Sequence, residues 1–139
     1  MSGPPFVHRI RVRYAEVDGQ GVVFNAHWLT YFDDACTRFM EALGFQGLWV
    51  TGFDVMLVKA IVEWAGSAGF DEWVDIAVFP SRLGTKSFDL SYEATVEARP
   101  VCQATITYVT IEPGKNVSIE IPSAVRTALE IATGQGNAS

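Results

Sequence analysis

In the stretch "EVDGQGVVFNAHW", Asp18 stands directly before a glycine-rich turn, and a helical pattern starts a few residues later. A carboxylate at the end of a strand, followed by backbone N–H groups at a helix start, supplies two things that acyl hydrolysis needs. Asp18 can act as base or nucleophile, and the N–H groups around Asn25 and Ala26 can bind a developing oxyanion, with the Asn25 side chain as an additional polar handle. Gly21 gives the turn between them its conformational freedom. The same residues have a plainer use, in which Asp18 is a turn acid ahead of Gly19, the commoner role of an Asp-Gly pair.

The other reactive residue types are sparse. Cys36 and Cys102 fall in an apolar helical and an apolar strand pattern, with no His or Cys at metal-ligand spacing, and are expected to be buried small apolar residues without a metal. His27 lies one step of about 200° around a helix from Asn25 and is read as a surface or interface residue. The net charge of −6 excludes a surface built to hold nucleic-acid backbones. A polyanionic ligand therefore needs a local basic spot. The lead "MSGPPFVHRIRV" lacks the apolar stretch of a signal peptide, and no run approaches the roughly 20 apolar residues that span a membrane. A cytoplasmic protein is the expectation.

The elements that must place Asp18 follow from periodicity. "FVHRIRVRYAEV" alternates apolar and polar residues as a strand does, and Gly19 and Gly21 end it. From Trp28 the apolar positions Tyr31, Phe32, Ala35, Phe39 and Leu43 fall at helical spacing until Gly44. The helical aromatics are expected to be core. Four long strands follow, over 53–64, 72–83, 86–97 and 100–112, separated by "AGSAGFD", "GT" and "ARP". "VSIEIPSAVRTALEIA" reads as a short strand and then a helix opened by Pro122. One domain over 1–139 results, with a core at about 6–131 and a disordered tail at 132–139. The fold class is α+β, with a long helix lying on a curved, mainly antiparallel sheet of about five strands.

The run "RVRYAEVDGQGVVFNAHWLTYFDDACTRFMEALG" resembles the hotdog-fold acyl-CoA thioesterases of the 4-hydroxybenzoyl-CoA thioesterase type, including bacterial thioesterases associated with the Tol-Pal system. Glu16, Asp18, Gly21, Val22, Val23, Phe24 and the helix from Trp28 carry that likeness. The later "VKAIVEWAGSAGFDEWVDIAVFPSRLGTKSFDLSYEATV" is similar to the family's middle, and the resemblance covers roughly residues 7 to 130.

The resemblance implies hydrolysis of acyl-CoA to free acid and coenzyme A without a cofactor. Asp18 matches the family's catalytic aspartate, as nucleophile or base, Gly21 its turn glycine, and Asn25 the position whose backbone N–H polarises the carbonyl. Many relatives of the Tol-Pal type carry His at that position, so Asn25 is a departure. "RLGTKSF" resembles the region where relatives hold coenzyme A, which makes Arg82, Thr85, Lys86 and Ser87 the candidate contacts. The active site of such proteins lies between two subunits, implying a homodimer, often a tetramer. A non-hydrolytic acyl-thioester-binding or regulatory protein of the same fold is the alternative. A hotdog dehydratase would want a catalytic histidine paired with an acid, and His8 and His27 do not match one.

Overall fold

The computed structural model describes residues 6–45 and 52–136. Five strands and two helices make up the chain: β1 (Phe6–Arg11), α1 (His27–Ala42), β2 (Asp54–Trp64), β3 (Trp73–Leu83), β4 (Ser87–Val96), β5 (Arg99–Ile111) and α2 (Ser123–Gly136). The strands form one antiparallel sheet in the order β1-β3-β4-β5-β2.

Alternation along the strands decides which face is covered. Val74, Ile76 and Val78 on β3, Phe88, Leu90 and Tyr92 on β4, and Ala104, Ile106 and Tyr108 on β5 are all buried. α1 lays Trp28, Tyr31, Phe32, Ala35, Cys36 and Phe39 on that face, with the Phe32 and Tyr92 rings 5.0 Å apart. The large apolar side chains among them, such as Phe32 and Phe39, each contribute about 1.5–3 kcal/mol by leaving water, which fixes α1 against the sheet. The helical aromatics are core as read from the sequence, and both cysteines are free and buried.

Two expectations are corrected. The first strand does not run through Val17: it stops at Arg11, and Tyr14–Glu16 form a single 3-10 turn. The alternation there misled because the Glu16 carboxylate captures the Arg13 amide and guanidinium, bending the backbone away from the sheet. The short strand before α2 is only an isolated bridge, Ile111 to Ser118. Of the expected tail, α2 continues through Gly136, and residues 137–139 lie outside the described residues, as does the proline-containing lead at 1–5. Among the described residues no helix is long and apolar enough to cross a membrane.

Candidate active site

Asp18 sits at the tip of a small hairpin built by the chain between β1 and α1. Its amide donates to the Val22 carbonyl and its carbonyl accepts the Gly21 amide, both at 2.9 Å. Gly21 closes the turn at φ +77°, in the left-handed region that favours glycine. The carboxylate is half-buried, and its Oδ1 accepts the Gln20 amide at 2.8 Å. That bond orients the group and leaves Oδ2 without a partner among the described residues.

The hairpin is braced from two sides. Val17 and Val23 pair across it, and the Glu16 carbonyl accepts the Phe24 amide at 3.0 Å. From the other side the turn after β2 closes in, with the Val23 amide donating to Ala68 at 2.9 Å and Val22 bridging to Gly69. A Cβ at Gly69 would stand 3.4 Å from Glu72 Oε1 and 3.6 Å from the Gly21 carbonyl, ordinary contact distances that place this turn directly against the hairpin. The glycine-rich "AGSAGFD" is thus a wall of the Asp18 loop.

α1 begins at His27 with Ala26 as its cap residue and no side-chain capping bond. The Asn25 and Ala26 amides have no acceptor among the described residues, and the Asn25 side chain is exposed. Free N–H groups at the positive end of a 16-residue helix favour negative charge. Asp18, Gly21 and Asn25 therefore belong to one continuous loop. His27 is half-buried with its ring 6.0 Å from Phe24, and Phe24, Trp64 and Phe70 expose aromatic surface at this end of the sheet.

The structure puts "RLGTKS" elsewhere. It forms the β3–β4 turn at the opposite end of β3 from the Asp18 loop. Ten residue steps of about 3.3 Å put the two ends roughly 30 Å apart within a chain. Arg82 is engaged with Ser87 Oγ at 2.9 Å and Asp89 at 3.0 Å, and Arg126 donates to the Gly84 carbonyl. Lys86 and Thr85 are exposed, and the Lys86 carbonyl accepts the Thr110 amide at 2.9 Å.

Glu16 is the residue whose part was least visible in the sequence. It is 7% exposed, the one buried charged side chain among the described residues. Burial pushes its carboxyl up, but bonds from the Arg13 guanidinium, the Arg13 amide and the Tyr31 hydroxyl outweigh that and hold it below the ordinary glutamate range. Tyr31, buried and bonded to that carboxylate, is pushed well above the usual phenol value. Its place in the motif that carries the family likeness marked Glu16 without giving it a role, and the Arg13-x-x-Glu16 spacing was the signal for its partner.

A family model described as the thioesterase-like superfamily matches residues 12–129. An Aquifex aeolicus protein named as an esterase is 29% identical over 117 residues, covering 83% of this chain and 91% of that protein. A 1,4-dihydroxy-2-naphthoyl-CoA hydrolase of Nostoc punctiforme is 24% identical over 128 residues, covering 90% and 86% of the two chains. Among solved structures, a gentisyl-coenzyme A thioesterase superposes with a TM-score of 0.82 at 25% identity, covering 89% of this chain and 99% of that one. These neighbours share the hotdog thioesterase fold.

Proposed function

The chain belongs to the thioesterase-like superfamily, and from that membership we propose that it hydrolyses the thioester of an acyl-coenzyme A, as relatives of the 4-hydroxybenzoyl-CoA type do. The observation that carries this is the half-buried Asp18, with one oxygen held by the Gln20 amide and the other free, on the loop that ends in the uncapped start of α1. Asp18 attacks the thioester carbonyl or activates a water to do so, while the amides around Asn25 take the charge that develops on the carbonyl oxygen. Coenzyme A leaves as the thiol, and no cofactor enters the reaction.

The roughly 30 Å between Asp18 and the β3–β4 turn fits a site shared by two chains. β2 is an edge strand with Met56, Leu57, Val58, Ile61 and Trp64 exposed, an apolar edge of the kind that a second strand covers. Its Trp64 end adjoins the Asp18 loop and its Asp54 end lies near Lys86. Two-fold antiparallel pairing of β2 with a second β2 brings the Lys86 end of one chain to the Asp18 end of the other. Arg82, Thr85, Lys86 and Ser87 are then the contacts to the coenzyme phosphates, and a homodimer is the smallest active unit.

A second reading draws on the Gln20–Asp18 bond, which is also how a structural turn acid is held. On it the protein binds acyl thioesters without cleaving them. Turnover of a panel of acyl-CoAs, headed by thioesters of hydroxylated aromatic acids as in the two named relatives, decides between them. Binding without thiol release by the wild-type chain defeats the hydrolytic reading.

A further inference from the structure

We propose that Glu16 is a positioning residue for Asp18: its buried carboxylate, bonded to Arg13 and Tyr31, locks the Val17–Phe24 hairpin onto α1 and so sets where the Asp18 carboxylate stands. The inference rests on the hydrolytic reading of Asp18 and adds to it a residue that touches no substrate.

The bonds on Glu16 account for both of its oxygens. Oε1 accepts the Arg13 amide at 2.8 Å and the Tyr31 hydroxyl at 2.8 Å. Oε2 accepts Arg13 Nε at 3.0 Å and Nη2 at 2.6 Å. A carboxylate so filled, with its charge paired in place, is not free to take a proton from water and is excluded as a base. What it does instead is tie three parts of the chain together. Arg13 precedes the loop, Tyr31 lies one turn into α1, and the Glu16 carbonyl holds Phe24 at the loop's far end. Asp18 follows two residues later, and the described residues give its side chain one bond of its own, from Gln20. Its aim therefore follows the backbone that Glu16 fixes. Tyr31 is in turn held by the indole of Trp28, with ring centroids 5.4 Å apart, so the tie reaches the helix core.

Catalysis is sensitive to such support, because a displacement of about 1 Å at a reacting group costs on the order of 10²-fold in rate. Glu16→Gln keeps the size and removes the charge, and Tyr31→Phe removes one bond while leaving the ring packed. Glu16→Gln is expected to lower kcat by roughly 10- to 100-fold with KM within about two-fold, and Tyr31→Phe to lower it by a smaller factor in the same pattern. The discriminating measurement is made in Asp18→Asn: if Glu16 acts through Asp18, adding Glu16→Gln to that variant leaves the residual rate within about two-fold. An equal loss in both backgrounds, or an unchanged kcat in Glu16→Gln, overturns the proposal. Amide exchange keeps its failure distinct from that of the hydrolytic reading. Even if the wild-type chain turns over nothing, faster exchange at Asp18, Gly21 and Phe24 in Tyr31→Phe, with β3 to β5 unchanged, upholds the lock, and unchanged exchange removes it.

Discussion

Two buried polar residues mark opposite ends of the sheet, and they hold the chain by different means. Glu16 is charged and takes its bonds largely from side chains, tying a loop to a helix. Thr110 is neutral and fully buried, and binds only backbone: its hydroxyl donates to the Ile119 carbonyl at 2.6 Å and lies 3.2 Å from the Lys86 carbonyl. On the proposal above, the first device fixes the direction of the Asp18 side chain. The second fixes the path of the backbone beside Lys86, whose side chain is exposed and, on the reading proposed above, meets the coenzyme phosphates. One end is tied largely through side chains, the other through backbone.

The largest effect that tests this division is at Asp18. Asp18→Asn retains the turn bond to Gln20 and is expected to reduce thioester hydrolysis by about 10²- to 10⁴-fold with an unchanged circular dichroism spectrum. If the variant instead fails to fold, the turn-acid reading gains. Next in size is the joining of the two ends. Leu57→Glu with Ile61→Glu puts like charges along the exposed edge of β2, and is expected to yield single chains in sedimentation and at least about ten-fold less activity. A fully active monomer breaks the shared-site scheme.

Lys86→Ala carries a smaller effect, a several-fold rise in KM for acyl-CoA with kcat nearly constant, and less on a truncated thioester lacking the nucleotide. Mixed subunits sharpen it. In a dimer of one Asp18→Asn chain and one Lys86→Ala chain, the shared-site scheme leaves one site with both native residues, so mixing recovers activity at low substrate that neither parent shows.

The sequence carried the place of Asp18 before a turn and the presence of five strands, because both follow from local signals, a carboxylate before glycine and alternation between turns. Sequential pairing of the later strands fails, since β2 crosses over to pair with β5 and not with β3. What it hid was long-range or conformational. Glu16 looked like a strand residue, since the bonds that bury it come from Tyr31, fifteen positions away, and from a backbone bend that no periodicity encodes. The last strand was read from Pro100, but the β4–β5 turn is Glu97–Ala98 and β5 opens one residue earlier, at Arg99, with Pro100 opposite Thr95 at a register shift. The distance between Asp18 and Lys86 was invisible for another reason, since it depends on which end of β3 each loop occupies.

Acid acts on both ends in the same sense. The Glu16 carboxyl is held below its ordinary value in the folded chain, so its stabilisation is present above the unfolded value, about 4.3, and is lost as pH falls through the folded one. Asp89, which burial pushes up and Arg82 and Thr107 pull down by more, behaves in the same sense. Denaturant melts between pH 3 and 7 are expected to show a shallower acid loss in Glu16→Gln, with the Asp89 share remaining. An unaltered slope means that Glu16 is not charged in the fold.

The smallest predicted effect separates stability from chemistry at the Asp18 end itself. Val96 pairs with Arg99, leaving Glu97 and Ala98 as a two-residue turn at φ +50° and +65°. Both values lie in the left-handed region, which suits Asn-Gly and strains residues with an ordinary Cβ. The turn stands close to the loop after β2, since Arg99 donates to the Ser67 carbonyl at 3.0 Å, but among the described residues it makes no direct hydrogen bond to the Asp18 hairpin. Glu97→Asn with Ala98→Gly is therefore expected to raise the free energy of unfolding by about 1 kcal/mol while kcat and KM stay within error. If activity rises or falls with this change, strain in the β4–β5 turn reaches Asp18 through Ser67 and the Ala68–Gly69 brace, and that side of the hairpin positions Asp18 as well as Glu16 does.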